Sequence, residues 1–541
     1  MVDILIIGTG GAGLSVGLSA KQNGANVLLV GKRQPTASQT AMAQGGINAP
    51  LGNITFDSVE LHIKDTIKSA HGLYDIDMIT KMCQNAPDTI KWLDEIGVPF
   101  NRTKEGKISQ RQLGGASAKR ACYAQDYTGL KILHTLYDNI IKENIPIKKD
   151  LFLLNLIEEN RVIKGATFWD IKNGEVVEIL ASKVVIATGG YGAIYKNYTT
   201  NANDSTGDGI ASVLRAGGKV SDMEFVQFHP TALKHSSILI SESARGEGGY
   251  LINSKGERFV DELLPRDVVA RAIVSEIKKG EDVFLDIRHL GEKKLLELMP
   301  QEVHLCKIHE GIDPVKELIP IKPVAHYTMG GIDVDSNLKV NGLENCYAIG
   351  ECSNAKVHGA NRLGGNSLLE IVSFGKIVGK ELSKDLSQIQ YTSNKEQLQK
   401  DIEFIDNIFK NSTFEDNFYQ IENNLGEKFY KYAGIIRENS QLNILLNKIN
   451  TIKSNTNNIG LEDKERKNNT NLVEFLQFLN ILEISEIVVK SALLRDESRG
   501  AHYKKEFPKE SDKFLAHSIF WRENGIIKNR FKGVNNENNY Q

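Results

Sequence analysis

A short apolar run, Val2 to Ile7, leads directly into Gly8-Thr9-Gly10-Gly11-Ala12-Gly13. Apolar residues then recur at helical spacing (Leu14, Leu18), and a second apolar run, Val27 to Val30, follows. This order of strand, glycine turn, helix and strand opens a dinucleotide-binding unit. The first glycine permits the turn, and the second lets backbone approach a pyrophosphate. The third lets the helix pack on the sheet, with its N-terminus facing the phosphates.

At 541 residues the chain exceeds what one hydrophobic core serves, so two to four domains are expected. A further strand, Val184 to Ala187, enters Thr188-Gly189-Gly190, and Cys346-Tyr347-Ala348-Ile349 enters Gly350-Glu351. The predicted fold is α/β: a discontinuous Rossmann-like domain over 1–222 and 341–385, interrupted by an inserted α+β capping domain over 223–340. Residues 395–500 read as a helical domain, with Phe404, Ile408, Leu472, Phe475, Leu479 and Leu482 at helical spacing. The polar stretch 453–470 reads as an exposed loop. Residues 501–541 form a C-terminal segment whose tail past Gly525 is expected to be loose.

Glycine-rich turns at several distant points suit a long cofactor that threads the first domain, which narrows the nucleotide to FAD. The opening turn supplies Gly8, Gly10, Gly11 and Gly13. Ser38, Gln39 and Thr40, then Gln44, Gly45 and Gly46, add hydroxyls, amides and free backbone. Ala187, Thr188 and Gly189 close one strand, and Glu351 closes another. Thr206-Gly207-Asp208-Gly209 precedes a helical stretch, Ile210 to Ala216, and Ser367 and Leu368 open one after Asn366. The second strand ends in Gly31-Lys32, where an acid for the ribose hydroxyls is usual, so another group must take that task or the ribose is held less tightly.

Several segments together resemble one family: the flavoprotein subunits of succinate dehydrogenase and fumarate reductase, with their relative L-aspartate oxidase. They are Ala43–Asn48, Glu224–Thr231, Arg245–Gly249, His326–Gly331, His358–Leu363 and Arg495–His502. The resemblance covers most of 1–385, returns at 472–530 and is weak between 386 and 470. It implies an FAD-dependent oxidoreductase acting on a C4 dicarboxylate, with Arg362 and His326 on one carboxylate and His229 and Ser241 on the other. Arg266 would protonate the substrate carbon, and Glu242 and Arg245 would resupply it. Each has an ordinary reading in isolation: His229-Pro230 as a capped turn, His326 as a core histidine, Arg266 paired with Asp267 or Glu262, Arg362 on a loop carbonyl. His62, His71, His134, His304 and His309 receive no role, and Lys119-Arg120 reads as a solvated face.

Two positions refine the assignment. L-aspartate oxidases resemble one another in a glutamate before the Gly-Gly found here at Leu113-Gly114-Gly115, where it balances the substrate ammonium. Leu113 instead suits the bare carbons of succinate or fumarate. Membrane-bound members often link FAD to a histidine five residues before the glutamine of Ala-Gln-Gly-Gly. That place holds Gln39, so noncovalent FAD is expected. The alternatives are L-aspartate oxidase and a flavin-binding scaffold without catalysis.

Lys+Arg 66 against Asp+Glu 68 leaves a net charge of −2, which offers no general attraction to nucleic acid or an acidic membrane surface. The five cysteines form no C-x-x-C pair, so no metal is expected and electrons would come from a separate iron–sulfur subunit. A strand beginning at Val2 leaves no room for a signal peptide, and no apolar run reaches a membrane-span length. A cytoplasmic location is expected, with any membrane contact made through partners.

Overall fold

A computed structural model describes residues 2–384, 386, 392–411 and 416–534. The expected junction near 385–395 and the last residues of the tail lie largely outside these.

The opening strand (Val2–Ile7) pairs in parallel with Val27–Val30, in register Ile4 to Val27, and on its other side with the end of a long strand, Glu175–Ile186. Cys346–Ala348 extends the parallel array at Val184–Ile186, so a late segment completes an early sheet. The first half of Glu175–Ile186 leaves the parallel array and pairs antiparallel with Val162–Asp170. Fully buried runs such as Ile4–Ile6 and Val184–Ile186 are what a sheet covered on both faces requires. Two glycines of the opening turn are dictated by sterics. Gly8 has φ +117°, and a Cβ there would lie 2.0 Å from the Ala187 carbonyl oxygen. A Cβ on Gly13 would lie 1.9 Å from the Gly8 carbonyl oxygen.

A separate antiparallel sheet is built from Val226–Leu233, Ile319–Thr328, Val283–Asp286 and Tyr250–Asn253. The helix Arg266–Lys278 covers it through Val269 and Ile273. Its strand Val226–Leu233 shifts register between His229 and Ala232, a bulge of the kind that re-aims side chains. Four long helices follow: Glu396–Lys410, Phe418–Tyr432, Asn439–Ser454 and Thr470–Leu494.

Three sequence expectations are corrected. The tail past Gly525 is not loose throughout: Ile526–Gly533 pairs antiparallel with Ala516–Glu523. Asn524 (φ 50°) and Gly525 (φ 77°) form the tight connection, the Asn-Gly signature of a two-residue hairpin, and Phe531 packs edge-on to Phe514. The 453–470 stretch is pinned rather than simply exposed. Ile459 and Leu461 are buried, Arg466 lies over Trp169, and Asn469 caps the last long helix. Arg120 is not on a solvated face. It is fully buried, with both Asp57 carboxylate oxygens at 3.0 Å and Asp65 at 2.6 Å.

Candidate active site

One continuous cleft runs from the opening glycine turn to the antiparallel sheet, enclosing about 1680 Å³ of empty space with its open mouth included. Its walls contain Gly8, Gly10, Gly11, Lys32, Ser38, Gln39, Thr40 and Gln44 to Gly46. Ala187 to Gly189, Asp208, Glu351, Ser367 and Leu368 complete one end, and His229, Arg266, His326 and Arg362 converge at the other. Gly13 lies inside the first helix. Ser241, Glu242 and Arg245 are buried behind the wall.

The polar end is assembled from four separate elements. Arg266 occupies the first turn of its helix, and its Nη2 donates to Glu242 Oε2 at 2.6 Å. It does not pair with the nearer acids, since Asp267 binds Arg271 and Glu262 binds Arg258. Glu242 Oε1 accepts from Arg245 Nη2 at 3.3 Å, which completes an Arg266–Glu242–Arg245 chain. Burial alone would raise the Glu242 pKa, but the Arg266 and Arg245 charges outweigh it and hold the carboxyl below its usual range. A Cβ on Gly364 would lie 2.3 Å from Glu242 Oε2, and one on Gly114 would lie 2.6 Å from Oε1. Two glycine-bearing loops therefore grip this carboxylate.

Arg362 lies over the Tyr327 ring, 4.3 Å from its centroid, and Tyr327 in turn donates to Glu370 at 2.9 Å. Burial and the nearby Arg266 charge push the Arg362 pKa down to about 10. His229 and His326 meet edge to face with centroids 4.8 Å apart. Burial, then the Arg266 charge, holds both imidazoles well below their ordinary pKa, so both are neutral donors. Ser241 caps the short helix Glu242–Gly246, and its backbone N–H donates to Glu302 Oε1 at 2.8 Å.

Several contributors escaped the sequence reading. Gln227 accepts from Arg266 Nη1 at 3.0 Å and donates to the Arg362 carbonyl at 2.8 Å, tying the two arginine elements together. It sat unremarked inside the Glu224–Thr231 segment. Arg111 donates to the carbonyls of Gln44, Gly45 and Gln125 and so shapes the Gln44–Gly45 turn. Thr200, which contacts His326 Nδ1 at 2.7 Å, carried no local signal.

At the opposite end Lys32 donates to Asp208 at 2.6 Å, so the missing strand-end acid has a counterpart brought in by the first turn of the helix Asp208–Arg215. Along the cleft, Ser38 Oγ, both amide atoms of Gln44 and Arg362 Nε are buried without a partner among the described residues. Buried polar atoms are almost always hydrogen-bonded, so these donors and acceptors fit a long polar ligand.

Comparison with known proteins decides which ligand. Residues 3–368 match the FAD binding domain family, and residues 422–539 match the fumarate reductase flavoprotein C-terminal family. The succinate dehydrogenase flavoprotein subunit of Rickettsia bellii is 38% identical, covering 96% of this chain and 92% of the relative. The chain belongs to the family of succinate dehydrogenase and fumarate reductase flavoprotein subunits. The 8-methylmenaquinol:fumarate reductase flavoprotein subunit of Wolinella succinogenes is also 38% identical, over 98% of this chain and 90% of its own length. A solved Escherichia coli quinol fumarate reductase superposes with TM-score 0.93 at 33% identity, over 98% of this chain and 96% of that one. Adenylylsulfate reductase of Archaeoglobus fulgidus shares the fold alone, at 16% identity and TM-score 0.82. The flavoprotein is an FAD-dependent oxidoreductase, as the sequence resemblance implied. Among the described residues no helix is long and apolar enough to cross a membrane.

Proposed function

We propose that this flavoprotein interconverts fumarate and succinate. The carrying observation is electrostatic. At the polar end of the cleft the guanidiniums of Arg245, Arg266 and Arg362 meet one ionised carboxylate, Glu242, an excess that matches a dianion. The glycine turn, Ser38, Gln44, Thr188, Asp208 and the helix opened by Ser367 would hold FAD, which would supply hydride exchange with the substrate carbon. Arg362 and His326 grip one carboxylate and His229 grips the other, while Ser241, expected there from the sequence, sits behind the wall with its hydroxyl capping the Glu242–Gly246 helix. Fixing both ends orients the double bond between them and excludes water from it.

In the reductive direction one vinyl carbon takes the hydride and the other takes a proton from Arg266. An arginine acid is unusual because its pKa lies above 12. One feature makes it workable here: Glu242 lies within 2.6 Å to return the proton, resupplied by Arg245.

Leu113 lines the cleft as an apolar wall beside Gly45 and offers no counter-charge to an ammonium, and no observation favours L-aspartate oxidase. Fumarate reduction by the holoprotein with a reduced dye, beside aspartate oxidation by oxygen, tests the reading. Fumarate turnover without peroxide from aspartate is expected, and the reverse pattern overturns it.

FAD is proposed to be noncovalent, because Gln39 lacks a nucleophilic nitrogen. Flavin fluorescence should leave the polypeptide on a denaturing gel. A separate iron–sulfur subunit is proposed to exchange electrons with the flavin and to bring the chain to the cytoplasmic face of a membrane. Co-purification from a tagged chain in its own cell, followed by iron analysis, tests this partner.

A further inference from the structure

Thr199–Ala202 joins the two ends of the cleft. On one side it is stitched to the strand that carries His326. Thr200 N–H donates to the Ala325 carbonyl at 2.9 Å, and Asn201 Nδ2 donates to the His326 carbonyl at 3.0 Å. Thr200 Oγ1 lies 2.7 Å from His326 Nδ1. That contact leaves Nε2, which has no hydrogen bond within the described chain, for the cleft. On the other side the segment rests on Gln39. The Ala202 N–H donates to Gln39 Oε1 at 2.9 Å, and Gln39 Nε2 donates to the Thr200 carbonyl at 3.4 Å.

We infer that Gln39 is a positioning residue for the dicarboxylate: it braces the 199–202 segment so that Thr200 holds the His326 ring at the angle needed to meet a carboxylate. The inference rests on the role of His326 proposed above. The Ala202 N–H needs an acceptor and the Thr200 carbonyl a donor, so the Gln39 amide has one orientation. A single β-bridge from Thr199 to Ala325 is the segment's only regular pairing among the described residues, and the place of its far end depends on contacts such as those of Gln39. A neutral imidazole offers the cleft a single N–H, and a hydrogen bond weakens steeply as its angle closes. A small rotation of the ring is therefore felt at the substrate. Gln39 also lines the cleft that takes the flavin. One side chain thereby couples the cofactor wall to the substrate grip.

The test uses holoprotein and the variants Gln39→Met, Thr200→Val and their combination. Gln39→Met preserves bulk but removes both hydrogen bonds. Readouts are the flavin-to-polypeptide ratio, the succinate dissociation constant from perturbation of the flavin spectrum, and KM and kcat for fumarate. Each single variant should keep its FAD and raise the succinate dissociation constant and the fumarate KM about 5- to 10-fold, the worth of one hydrogen bond. The change in kcat should stay within about twofold, since a uniform binding contact is lost. The combined variant should be no worse than the weaker-binding single, because both changes break one chain of contacts. Unchanged succinate affinity in Gln39→Met, or losses that multiply in the combination, overturns the inference. Should Gln39→Met yield no holoprotein, Thr200→Val decides, and wild-type succinate affinity there overturns it. A wild-type holoprotein blind to both succinate and fumarate would instead sink the function proposed above.

Discussion

Arg266 serves two structures at once, the first turn of a cap helix and the centre of a charge cluster. Its Nη1 and Nη2 reach Gln227 and Glu242 at 3.0 and 2.6 Å. Arg266→Gln removes the proposed proton donor and keeps much of the side-chain volume. Fumarate turnover should fall by about 10²- to 10⁴-fold with the flavin-to-polypeptide ratio unchanged, as steady-state assays on purified holoprotein will show. Asp126, fully buried and accepting from the Glu302 N–H at 2.9 Å, gives a stability prediction. Burial pushes its carboxyl up from 3.8 to about 6. Between these values the unfolded chain has released a proton that the folded protein keeps. The unfolded state therefore binds fewer protons, and this group's contribution to stability falls as pH rises through the window and levels off above about 6. An asparagine can still accept from the Glu302 N–H but cannot ionise. The unfolding free energy of Asp126→Asn relative to the parent should rise from about pH 4 to 6, measured by urea denaturation across that range.

At the scale of elements, the site depends on how closely loops approach. Gly364 lies in the turn that follows Arg362, and a Cβ there would meet Glu242 Oε2 at 2.3 Å and Arg266 Nη2 at 3.4 Å. Gly364→Ala should displace the carboxylate and lower kcat about 10- to 100-fold, while FAD and most of the stability remain; kinetics and thermal denaturation of the same preparation separate the two. The opening strand, turn and helix were readable from the sequence, because periodicity and glycine spacing are local and Gly8 and Gly13 admit no side chain. Of the four candidates on the cleft wall, His229, His326 and Arg362 stand in ordered segments and Arg266 stands outside them, and the convergence of the four was not legible. Residues whose role depends on a distant partner escaped. Arg120 looks like a surface charge until Asp57 and Asp65 fold onto it. Thr200 is one of many threonines until His326 lies against it. The C-terminal hairpin is a different case: Asn524-Gly525 was a local signal, outweighed by the polar composition around it.

Across the whole molecule, a buried ionic network joins the C-terminal helix to the cleft-bearing body. Arg495, fully buried, donates to Glu224 at 2.5 Å and to Glu497 at 2.9 Å, and Arg499 holds Glu497 from the other side. Glu224 also accepts from Ser518 on the hairpin at 2.8 Å. The Glu224–Thr231 and Arg495–His502 segments, far apart in sequence, thus meet through one carboxylate. Arg495→Ala leaves Glu224 and Glu497 short of a cation and should destabilise the protein by about 3–5 kcal/mol, read as a shift in denaturant midpoint. At the polar end of the cleft, Arg266 and Arg362 are two like charges shut away from water, and each weighs on the other. A resting protein built this way is under tension, and a small molecule carrying a negative group at each end relaxes both sides together. Heat resistance should therefore track the saturation of the cleft by such molecules. A cell starved of them would hold a measurably softer enzyme.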